Sequence, residues 1–333
     1  MSEGPEVTLL PAGGRFRCDP GQTLLDGALA AGYWLPHSCR VGTCGSCAVS
    51  VEPGAMERVR PECSDSPALP PGQYLACQCT PTADVQVIAP TVGKDPGQRI
   101  VTCAARVVDV TRPAVDVAVL RLQVASESGF RFEAGQYLDV ILRDGSRRSY
   151  SMANTPANDG IVELHVRRLA GGRFSSHAYD RLKARDLLRI EGPFGAFKLR
   201  HTDAPIVLLA TGTGYAPISA MLRTHGDTLR RRRARLYWGA RTAPDLYARE
   251  DIANWQERFP GVQFIPVLSE PGDDWTGRAG LVHQAVLEDL PDLSAYEVYA
   301  CGNPTMIAAA RTDFTKAARM QGENFFSDAF LAR

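Results

Sequence analysis

The chain has 333 residues, and its 37 basic and 37 acidic side chains give a formal net charge of zero. This balance excludes the broad basic surface that binds nucleic acid. No apolar stretch reaches the roughly 18 residues that span a bilayer, so we expect no membrane partner either. At this length we expect two or three domains, each able to bury its own core.

The cysteines indicate the compartment. There are nine of them, an odd number that does not suit a disulfide framework and fits a reducing environment. The N-terminus MSEGPEV has neither the basic start nor the apolar core of a secretion signal. We therefore expect a cytoplasmic protein in which Cys18, Cys63, Cys103 and Cys301 are free thiols.

Residues 1–90 predict a compact mixed fold. A strand near residues 7–10 returns through the turn PAGG as a strand around residues 15–18. A helix follows, with Thr23 as its N-cap, Asp26 three residues on as in a capping box, and Gly32 at its end. Further strands are expected at residues 46–51 and 85–88.

Four cysteines in this region, Cys39, Cys44, Cys47 and Cys77, form the pattern C-x4-C-x2-C-x29-C. Three thiolates on one tight loop and a fourth from a later strand can enclose a [2Fe-2S] cluster. Zinc is the rival interpretation, but zinc usually draws its thiolates as C-x2-C pairs, and this pattern holds one such pair. Spacing alone leaves Cys79 open as the fourth ligand, since alternation along a strand points both sulfurs the same way.

The cysteine segment HSCRVGTCGSCAVSV…YLACQC resembles that of plant-type ferredoxins, which have the β-grasp fold. The resemblance favours Cys77 as the fourth ligand, because the interval of 29 residues matches the family pattern. We expect the exposed cluster loop at Arg40 and Val41, with neighbouring His37, to dock the electron acceptor. The polar stretch TVGKDPGQ at residues 91–98 predicts the first domain boundary.

Two further regions follow. Between residues 100 and 199, short alternating apolar runs with turn residues between them predict a barrel or a sandwich. From Pro205 on, near-continuous apolar runs alternate with helical stretches at residues 217–223 and 281–290, which predicts a parallel sheet. These runs are IVLLA, RLYWGA, QFIPVL and EVYACG.

Two segments of the barrel region carry candidate binding residues. In RSYS at residues 148–151, an arginine can hold a phosphate and a tyrosine on the same strand face can stack on a planar ring. HVR at residues 165–167 leads to GGRFS at residues 171–175, where free N–H groups at a helix start can bind an anion. An ordinary half-buried strand and a plain capped helix are the alternatives.

Two glycine turns belong to the sheet region. GTGYAP at residues 212–217 follows a buried strand and opens a helix, a place where a dinucleotide pyrophosphate can lie. CGNP at residues 301–304 ends another strand of the same sheet. Each alone is compatible with a simple turn, but we expect the two to lie at one edge of the sheet.

RSYS, HVR with GGRFS, EGPFG at residues 191–195, GTGYAP, CGNP and the tail FFSDAF together resemble the ferredoxin-NADP reductase superfamily. Residues 5–330 as a whole resemble reductase components of bacterial multicomponent oxygenases, above all those of aromatic-ring-hydroxylating dioxygenases of the terephthalate and benzoate type. The resemblance implies a multidomain α+β and α/β protein. Its expected parts are a β-grasp [2Fe-2S] ferredoxin domain at residues 1–93, an antiparallel β-barrel FAD domain at 99–200 and a parallel-sheet NAD(P)H domain at 204–333.

The resemblance also implies roles for residues. Arg148 would hold the flavin pyrophosphate, Tyr150 would stack on the isoalloxazine, and Ser151 would hydrogen-bond near its reactive nitrogen. The implied catalytic set is Tyr150, Ser151, Cys301 and Phe330, the last near the flavin face. The further implied FAD contacts are Ser149, His165, Val166, Arg167, Gly171, Gly172, Arg173, Phe174 and Ser175. The implied nucleotide contacts are Gly212, Thr213, Gly214, Ala216, Pro217, Arg241, Cys301, Gly302, Asn303 and Pro304.

The function implied is an electron relay. Nicotinamide delivers two electrons as a hydride, an iron-sulfur cluster accepts one at a time, and a flavin does both. FAD would take the hydride from NADH, with NADPH possible, and the cluster would pass single electrons to a terminal oxygenase. The alternatives are the reductase of a soluble di-iron monooxygenase or of deoxysugar biosynthesis and, from another class, a redox-sensing iron-sulfur protein.

The preference between NADH and NADPH stays open. Arg241 and Thr242 follow the second sheet strand, where they could read a 2′-phosphate. Asp245 is either an acid that contacts the ribose, which favours NADH, or a helix cap. Because most of the resembling reductases use NADH, NADH is the expected donor.

Overall fold

The structure, a computed structural model, describes residues 4–330 except 62–65, 67, 90–91, 93–98 and 158. The chain divides into two compact units, Met1–Ile100 and Val101–Arg333. The boundary predicted at residues 91–98 lies, apart from Val92, outside the described residues. Across the described ranges, no helix has the length and apolar character needed to cross a membrane.

The first unit is a five-stranded mixed sheet with one helix. Its elements are β1 (Glu6–Leu10), β2 (Gly14–Arg17), α1 (Leu24–Ala30), β3 (Ala48–Val51), β4 (Met56–Arg58), β5 (Gln73–Leu75), β6 (Cys79–Pro81) and β7 (Val85–Ile88). The sheet order is β2-β1-β7-β3-β5, with β1 and β7 parallel, while β4 and β6 pair separately. Alternate strand residues such as Val7 and Leu9 join Leu25 of the helix in one core.

Helix α1 begins as the sequence predicts. The Thr23 hydroxyl oxygen accepts the Asp26 N–H at 3.1 Å, and the hydroxyl donates to the Asp26 carboxylate at 2.8 Å. Gly32, at φ +79°, follows the end of the helix in the left-handed region that glycine tolerates. The predicted caps are therefore confirmed, and they place Asp26 on the first turn.

The second unit begins with an antiparallel barrel. Its elements are β8 (Val101–Ala114), β9 (Val117–Val124), β10 (Tyr137–Ile141), β11 (Arg147–Ser151), β12 (Ile161–Arg167), α2 (Arg173–Asp180) and β13 (Leu187–Phe194). The strand order is β11-β10-β13-β8-β9-β12. A bridge between Met152 and Leu164 joins the two end strands and closes the barrel. Of the two predicted arrangements, barrel and sandwich, the barrel is the one formed.

A parallel sheet completes the second unit. Its elements are β14 (Ile206–Thr211), α3 (Tyr215–Arg231), β15 (Arg235–Ala240), α4 (Arg249–Arg258), β16 (Gln263–Leu268), β17 (Arg278–Ala279), α5 (Val282–Asp289), β18 (Glu297–Gly302), α6 (Pro304–Ala317) and β19 (Phe325–Ala329). The order is β17-β16-β15-β14-β18-β19, and every neighbouring pair is parallel. Tyr237 and Trp238, adjacent in β15, belong to separate cores on the two faces. Burial on both faces explains the continuous apolar runs.

A buried ion pair holds the segment that joins the barrel to the sheet. Arg232, just after α3, and Glu297, at the start of β18, lie 2.7 Å apart and are each under 5% exposed. The Arg232 guanidinium also donates to the carbonyls of Ala204 at 2.6 Å and Arg200 at 2.9 Å. The same carboxylate accepts the hydroxyls of Thr202 and Tyr299. This network ties the connecting segment to the amino edge of the sheet.

Candidate functional site

The four predicted cluster ligands meet as two pairs of thiols. The thiol of Cys44 hydrogen-bonds to Cys39 and lowers the pKa of Cys39 to about 4. The thiol of Cys47 donates to Cys77 and holds the pKa of Cys77 below its ordinary value. In the described parts of the chain, no three His, Cys, Asp or Glu side chains gather as a site for one metal ion. Two pairs, each with one readily ionised member, fit a binuclear cluster in which each iron takes two thiolates.

The backbone of the cysteine loop turns N–H groups toward sulfur. The amides of Val41 and Cys44 lie 3.5 Å and 3.4 Å from the Cys39 sulfur and donate to it. Arg40, between Cys39 and Val41, has a φ of +55°, in the left-handed region that non-glycine residues seldom adopt. Donation to the ligand sulfur is the environment that a cluster thiolate requires.

Cys79 occupies a different place from the paired cysteines. It lies on β6 and is 6% exposed, and burial raises the pKa of its thiol. Cys77 precedes β6, in the turn where its thiol meets Cys47. This placement supports Cys77 as the fourth ligand, with Cys79 as a small buried side chain.

In the loop expected to dock the electron acceptor, His37 is far less exposed than predicted. His37 is only 1% exposed: its Nδ1–H donates to the Leu35 carbonyl at 2.8 Å, and its ring stacks on Trp34. Arg40 is half-buried, with its guanidinium 2.9 Å from the Asp26 carboxylate. The prediction of an accessible side chain is therefore wrong for His37, and the charge of Arg40 is already paired within the unit.

In the second unit, strand β11 carries the predicted flavin residues. Arg148 and Tyr150 share one face of the strand, and the half-buried Tyr150 ring lies 5.4 Å from the ring of Phe174 in a tilted arrangement. On the other face, the Ser149 hydroxyl donates to Asp139 at 2.6 Å. A half-buried aromatic face beside an arginine suits a planar cofactor that carries phosphate.

The predicted glycine loop leads into helix α2. Gly171 adopts φ +71°, and Gly172 is the N-cap of the helix. The Ser175 hydroxyl accepts the Leu169 N–H at 3.2 Å, which closes the loop, and Arg173 pairs with Asp144 on the surface. The helix start thus has the backbone N–H groups that the sequence predicts for anion binding.

The HVR segment lies where the barrel meets the parallel sheet. His165 is 5% exposed, its Nε2–H donates to Glu163 at 3.2 Å, and the Tyr247 hydroxyl lies 2.8 Å from its Nδ1. Both ring nitrogens are thereby engaged, so a contact of His165 with a flavin would come from its backbone. Arg167 lies against Gly212, since a Cβ added there would stand 3.0 Å from its guanidinium.

The two glycine turns lie side by side, which confirms that prediction. Ala210 of β14 pairs with Cys301 of β18 in parallel register. A Cβ on Gly214 would stand 2.2 Å from the Cys301 carbonyl oxygen, and one on Gly302, where φ is +125°, would stand 2.4 Å from the Thr211 hydroxyl. Only glycine permits this close approach, and the resulting cradle of backbone fits a pyrophosphate.

Three predicted residues meet at this edge with an acid that sequence reasoning missed. The Ser151 hydroxyl of the barrel donates to Asp328 of β19 at 3.4 Å, and both residues are about 95% buried. Asp328 pairs in register with Cys301, whose burial and nearby carboxylate raise the pKa of its thiol. The Phe330 N–H donates to the Gly302 carbonyl at 2.8 Å. The signal for Asp328 was present as a lone acid inside the tail FFSDAF.

Aromatic side chains support the first glycine turn and were also missed. The Trp238 indole N–H donates to the Gly212 carbonyl at 3.0 Å. Tyr215 stacks on Trp238 with the ring centroids 4.3 Å apart, and Tyr247 meets both rings edge-on. The run RLYWGA predicted only a buried strand, because periodicity does not say which face Trp238 occupies.

Asp245 and Arg241 follow β15, the second strand of the parallel sheet in chain order. Asp245 accepts the Thr242 N–H and hydroxyl at 3.0 Å each, so it caps a short 3-10 turn and is 8% exposed. Asp245 therefore forms the predicted helix cap. Arg241 is exposed next to it. Its contact with a nucleotide stays a prediction.

Three protein-family models match the chain in succession. The 2Fe-2S iron-sulfur cluster binding domain matches residues 7–82, the oxidoreductase FAD-binding domain matches 104–199, and the oxidoreductase NAD-binding domain matches 208–312. The paired thiols lie within the first match, the RSYS strand and glycine loop within the second, and both glycine turns within the third.

Known proteins resemble the chain over nearly its full length. It is 38% identical over 326 residues to the CDP-6-deoxy-L-threo-D-glycero-4-hexulose-3-dehydrase reductase of Yersinia pseudotuberculosis, covering 98% of each chain. It is 36% identical over 318 residues to terephthalate 1,2-dioxygenase reductase component 1 of Comamonas sp., covering 95% of this chain and 94% of that one. The crystal structure of the Amycolatopsis cytochrome P450 reductase GcoB superposes with a TM-score of 0.80 at 34% identity, covering 98% of each chain.

Proposed function

The chain belongs to the family of reductases that join a [2Fe-2S] ferredoxin domain to an FAD- and NAD-binding module, and on that premise we propose that it carries electrons from NADH to the terminal oxygenase of an aromatic-ring-hydroxylating dioxygenase. The observation that carries the proposal is the succession of three cofactor domains along one chain. The likeness to the terephthalate dioxygenase reductase, at 36% identity over 95% of this chain, supports an oxygenase as the partner. The reducing cytoplasm suits the thiolate ligands.

When bound, FAD accepts both electrons of the nicotinamide nucleotide and releases them singly to the cluster. The proposed domains are residues 1–93, 99–200 and 204–333. In the first, Cys39 and Cys44 would hold one iron, and Cys47 and Cys77 would hold the other. The residues that orient FAD and the nicotinamide nucleotide are those predicted from the resemblance, with Tyr150, Ser151, Cys301 and Phe330 nearest to the reacting rings.

The protonation states at the sheet edge suit this role. Burial, reinforced by the Asp328 carboxylate, keeps the pKa of Cys301 well above its ordinary value, so the thiol stays neutral at physiological pH. A neutral thiol next to the nicotinamide neither competes as a nucleophile nor adds charge. Cys301 would therefore add no charge where the nicotinamide is proposed to lie.

A second candidate has a specific observation in its favour. The chain is 38% identical to the Yersinia reductase that serves a CDP-hexulose dehydrase, over 98% of both chains. In this alternative the same relay delivers single electrons to a dehydrase that removes a sugar hydroxyl. The two candidates share every cofactor site and differ in the partner protein.

The relay is tested by anaerobic titration of the purified protein with NADH and, separately, NADPH. Because FAD takes two electrons and the cluster one, bleaching of both absorbance bands is expected at about three electrons per chain. NADH is expected to act at the lower concentration. A protein whose flavin band bleaches while the cluster band persists contradicts internal transfer.

The partner is tested by reconstitution. The reduced protein is mixed with the oxygenase component of a terephthalate-type dioxygenase or with a CDP-hexulose dehydrase, and product formation per NADH consumed is measured. Coupled turnover with the oxygenase is expected. Coupled turnover with the dehydrase alone would move the assignment to the second candidate.

A further inference from the structure

The side chain of Arg60 reaches the peptide that donates a hydrogen bond to the sulfur of Cys39, a predicted cluster ligand. Arg60 follows β4, and its Nη1 donates to the Arg40 carbonyl oxygen at 3.0 Å. The N–H of the same peptide unit, which belongs to Val41, donates to the Cys39 sulfur at 3.5 Å. A peptide is planar, with its C=O and N–H pointing in opposite directions. A donor that holds the Arg40 carbonyl therefore also aims the Val41 N–H.

The other nitrogen of Arg60 is anchored. Its Nη2 lies 2.5 Å from the Asp26 carboxylate, and Arg40 binds the second oxygen of that carboxylate at 2.9 Å. Burial alone would raise the pKa of Asp26, but Arg40, Thr23 and Arg60 together hold it below its ordinary value. The carboxylate is thus ionised at neutral pH. Asp26 also belongs to the first turn of α1, so the anchor is part of a helix.

The backbone of Arg60 also contacts the turn that holds Cys77. The amides of Val59 and Arg60 donate to the Gln78 carbonyl at 2.9 Å and 3.3 Å, next in the chain to Cys77. The segment that carries Arg60 therefore lies against the turn that carries Cys77.

We propose that Arg60 is a positioning residue that raises the reduction potential of the [2Fe-2S] cluster by aiming the Val41 N–H at the Cys39 sulfur. The cluster takes up one electron from the flavin and so gains one negative charge. N–H donors and positive charge beside the sulfurs stabilise that state, and cluster potentials follow such hydrogen bonds and net charge. The proposal rests on the presence of the cluster, which is part of the proposed function.

The test is a redox titration of the full-length holoprotein, followed by the electron paramagnetic resonance signal of the reduced cluster. Arg60→Gln is expected to shift the cluster midpoint potential to lower values. The charge-matched control is Arg15→Gln, an exposed arginine of β2 in the same unit, which is expected to stay at the wild-type potential. The FAD potential, read from absorbance in the same titration, is expected to be unchanged in both variants.

Arg60→Lys separates charge from orientation. Lysine keeps the charge but has one donor nitrogen, which cannot replace a fork that binds the Arg40 carbonyl and Asp26 at once. Its potential is expected to fall between those of Arg60→Gln and the wild type. If Arg60→Gln loses its cluster, Arg60→Lys, with its iron content measured, carries the comparison with the wild type.

Three results would overturn the inference. Equal potentials for wild type and Arg60→Gln would show that Arg60 does not act on the cluster. Full restoration by Arg60→Lys would leave charge alone as the cause and remove the positioning role. A wild-type protein without any cluster signal would remove the proposed function and this inference with it, whereas the first two results leave the relay intact.

Discussion

At the scale of single residues, cluster binding depends on which sulfur completes the second pair of thiols. Cys77 meets Cys47, whereas Cys79 lies buried on β6. Cys77→Ser is expected to lose most of its iron, because one iron is left with a single thiolate, and Cys79→Ser is expected to keep it. Iron and acid-labile sulfide per chain are the measurements. Loss of iron in Cys79→Ser together with retention in Cys77→Ser would reverse the assignment.

Among the glycines of the two glycine turns, Gly214 leaves the least space for an added Cβ. An alanine there would put its Cβ 2.2 Å from the Cys301 carbonyl oxygen, so the turn after β14 and the end of β18 would have to move apart. Gly214→Ala is expected to slow reduction of FAD by NADH by about tenfold or more, equivalent to about 1.4 kcal/mol. Stopped-flow absorbance at the flavin band measures this rate.

The matched control is Gly322→Ala, at a glycine before β19 where an added Cβ meets nothing within 4 Å. Its rate of FAD reduction is expected to equal that of the wild type. Equal rates in both alanine variants would show that the glycine cradle does not govern the approach of the nucleotide.

At the scale of elements, the Arg232–Glu297 pair fastens the end of α3 and the start of β18 to the connecting segment. Burial alone would raise the pKa of Glu297, but donation from Arg232, Tyr299 and Thr202 holds it below the ordinary glutamate value. Removing one partner of a buried pair costs about 3–5 kcal/mol. Glu297→Gln, which leaves Arg232 without a countercharge, is therefore expected to be strongly destabilised at pH 7.

The pH dependence follows from the same lowered pKa. The stabilisation by ionised Glu297 is fully present above the ordinary glutamate pKa of about 4.3 and is lost as the pH falls through the lowered folded-state pKa. Urea midpoints of the wild type and Glu297→Gln are thus expected to differ at pH 7 and to begin to approach each other only as the pH falls below about 4.3. The exposed control Glu323→Gln is expected to follow the wild type throughout. A difference between the urea midpoints of wild type and Glu297→Gln that stayed constant across this pH range would contradict the role of the Glu297 charge.

At the scale of the whole molecule, each compact unit has its own core. The core of the first unit draws on residues between Val7 and Val92, and the three cores of the second unit lie between Cys103 and Phe330. A fragment that begins at Val101 is therefore expected to fold, retain FAD and reduce ferricyanide with NADH. Lacking the four cysteines, it is expected to fail with the protein acceptor. Transfer to that acceptor at the rate of the full chain would show that electrons bypass the cluster.

Local pattern determined much of this protein. The four central sheet strands lie at their predicted residues because strands buried on both faces need unbroken apolar runs, and the caps of α1 follow from Thr23 and Gly32 alone. The cysteine spacing and the glycine turns likewise carry their chemistry in the order of the chain.

Tertiary structure decided the contacts between distant segments. Ser151 and Asp328 are 177 residues apart, and Arg60 reaches Arg40 across a fold that spacing does not describe. The burial of His37 was decided in the same way. The physical reason is that periodicity reports which face of an element is buried, whereas hydrogen bonds and charge pairing depend on what the opposing element places there.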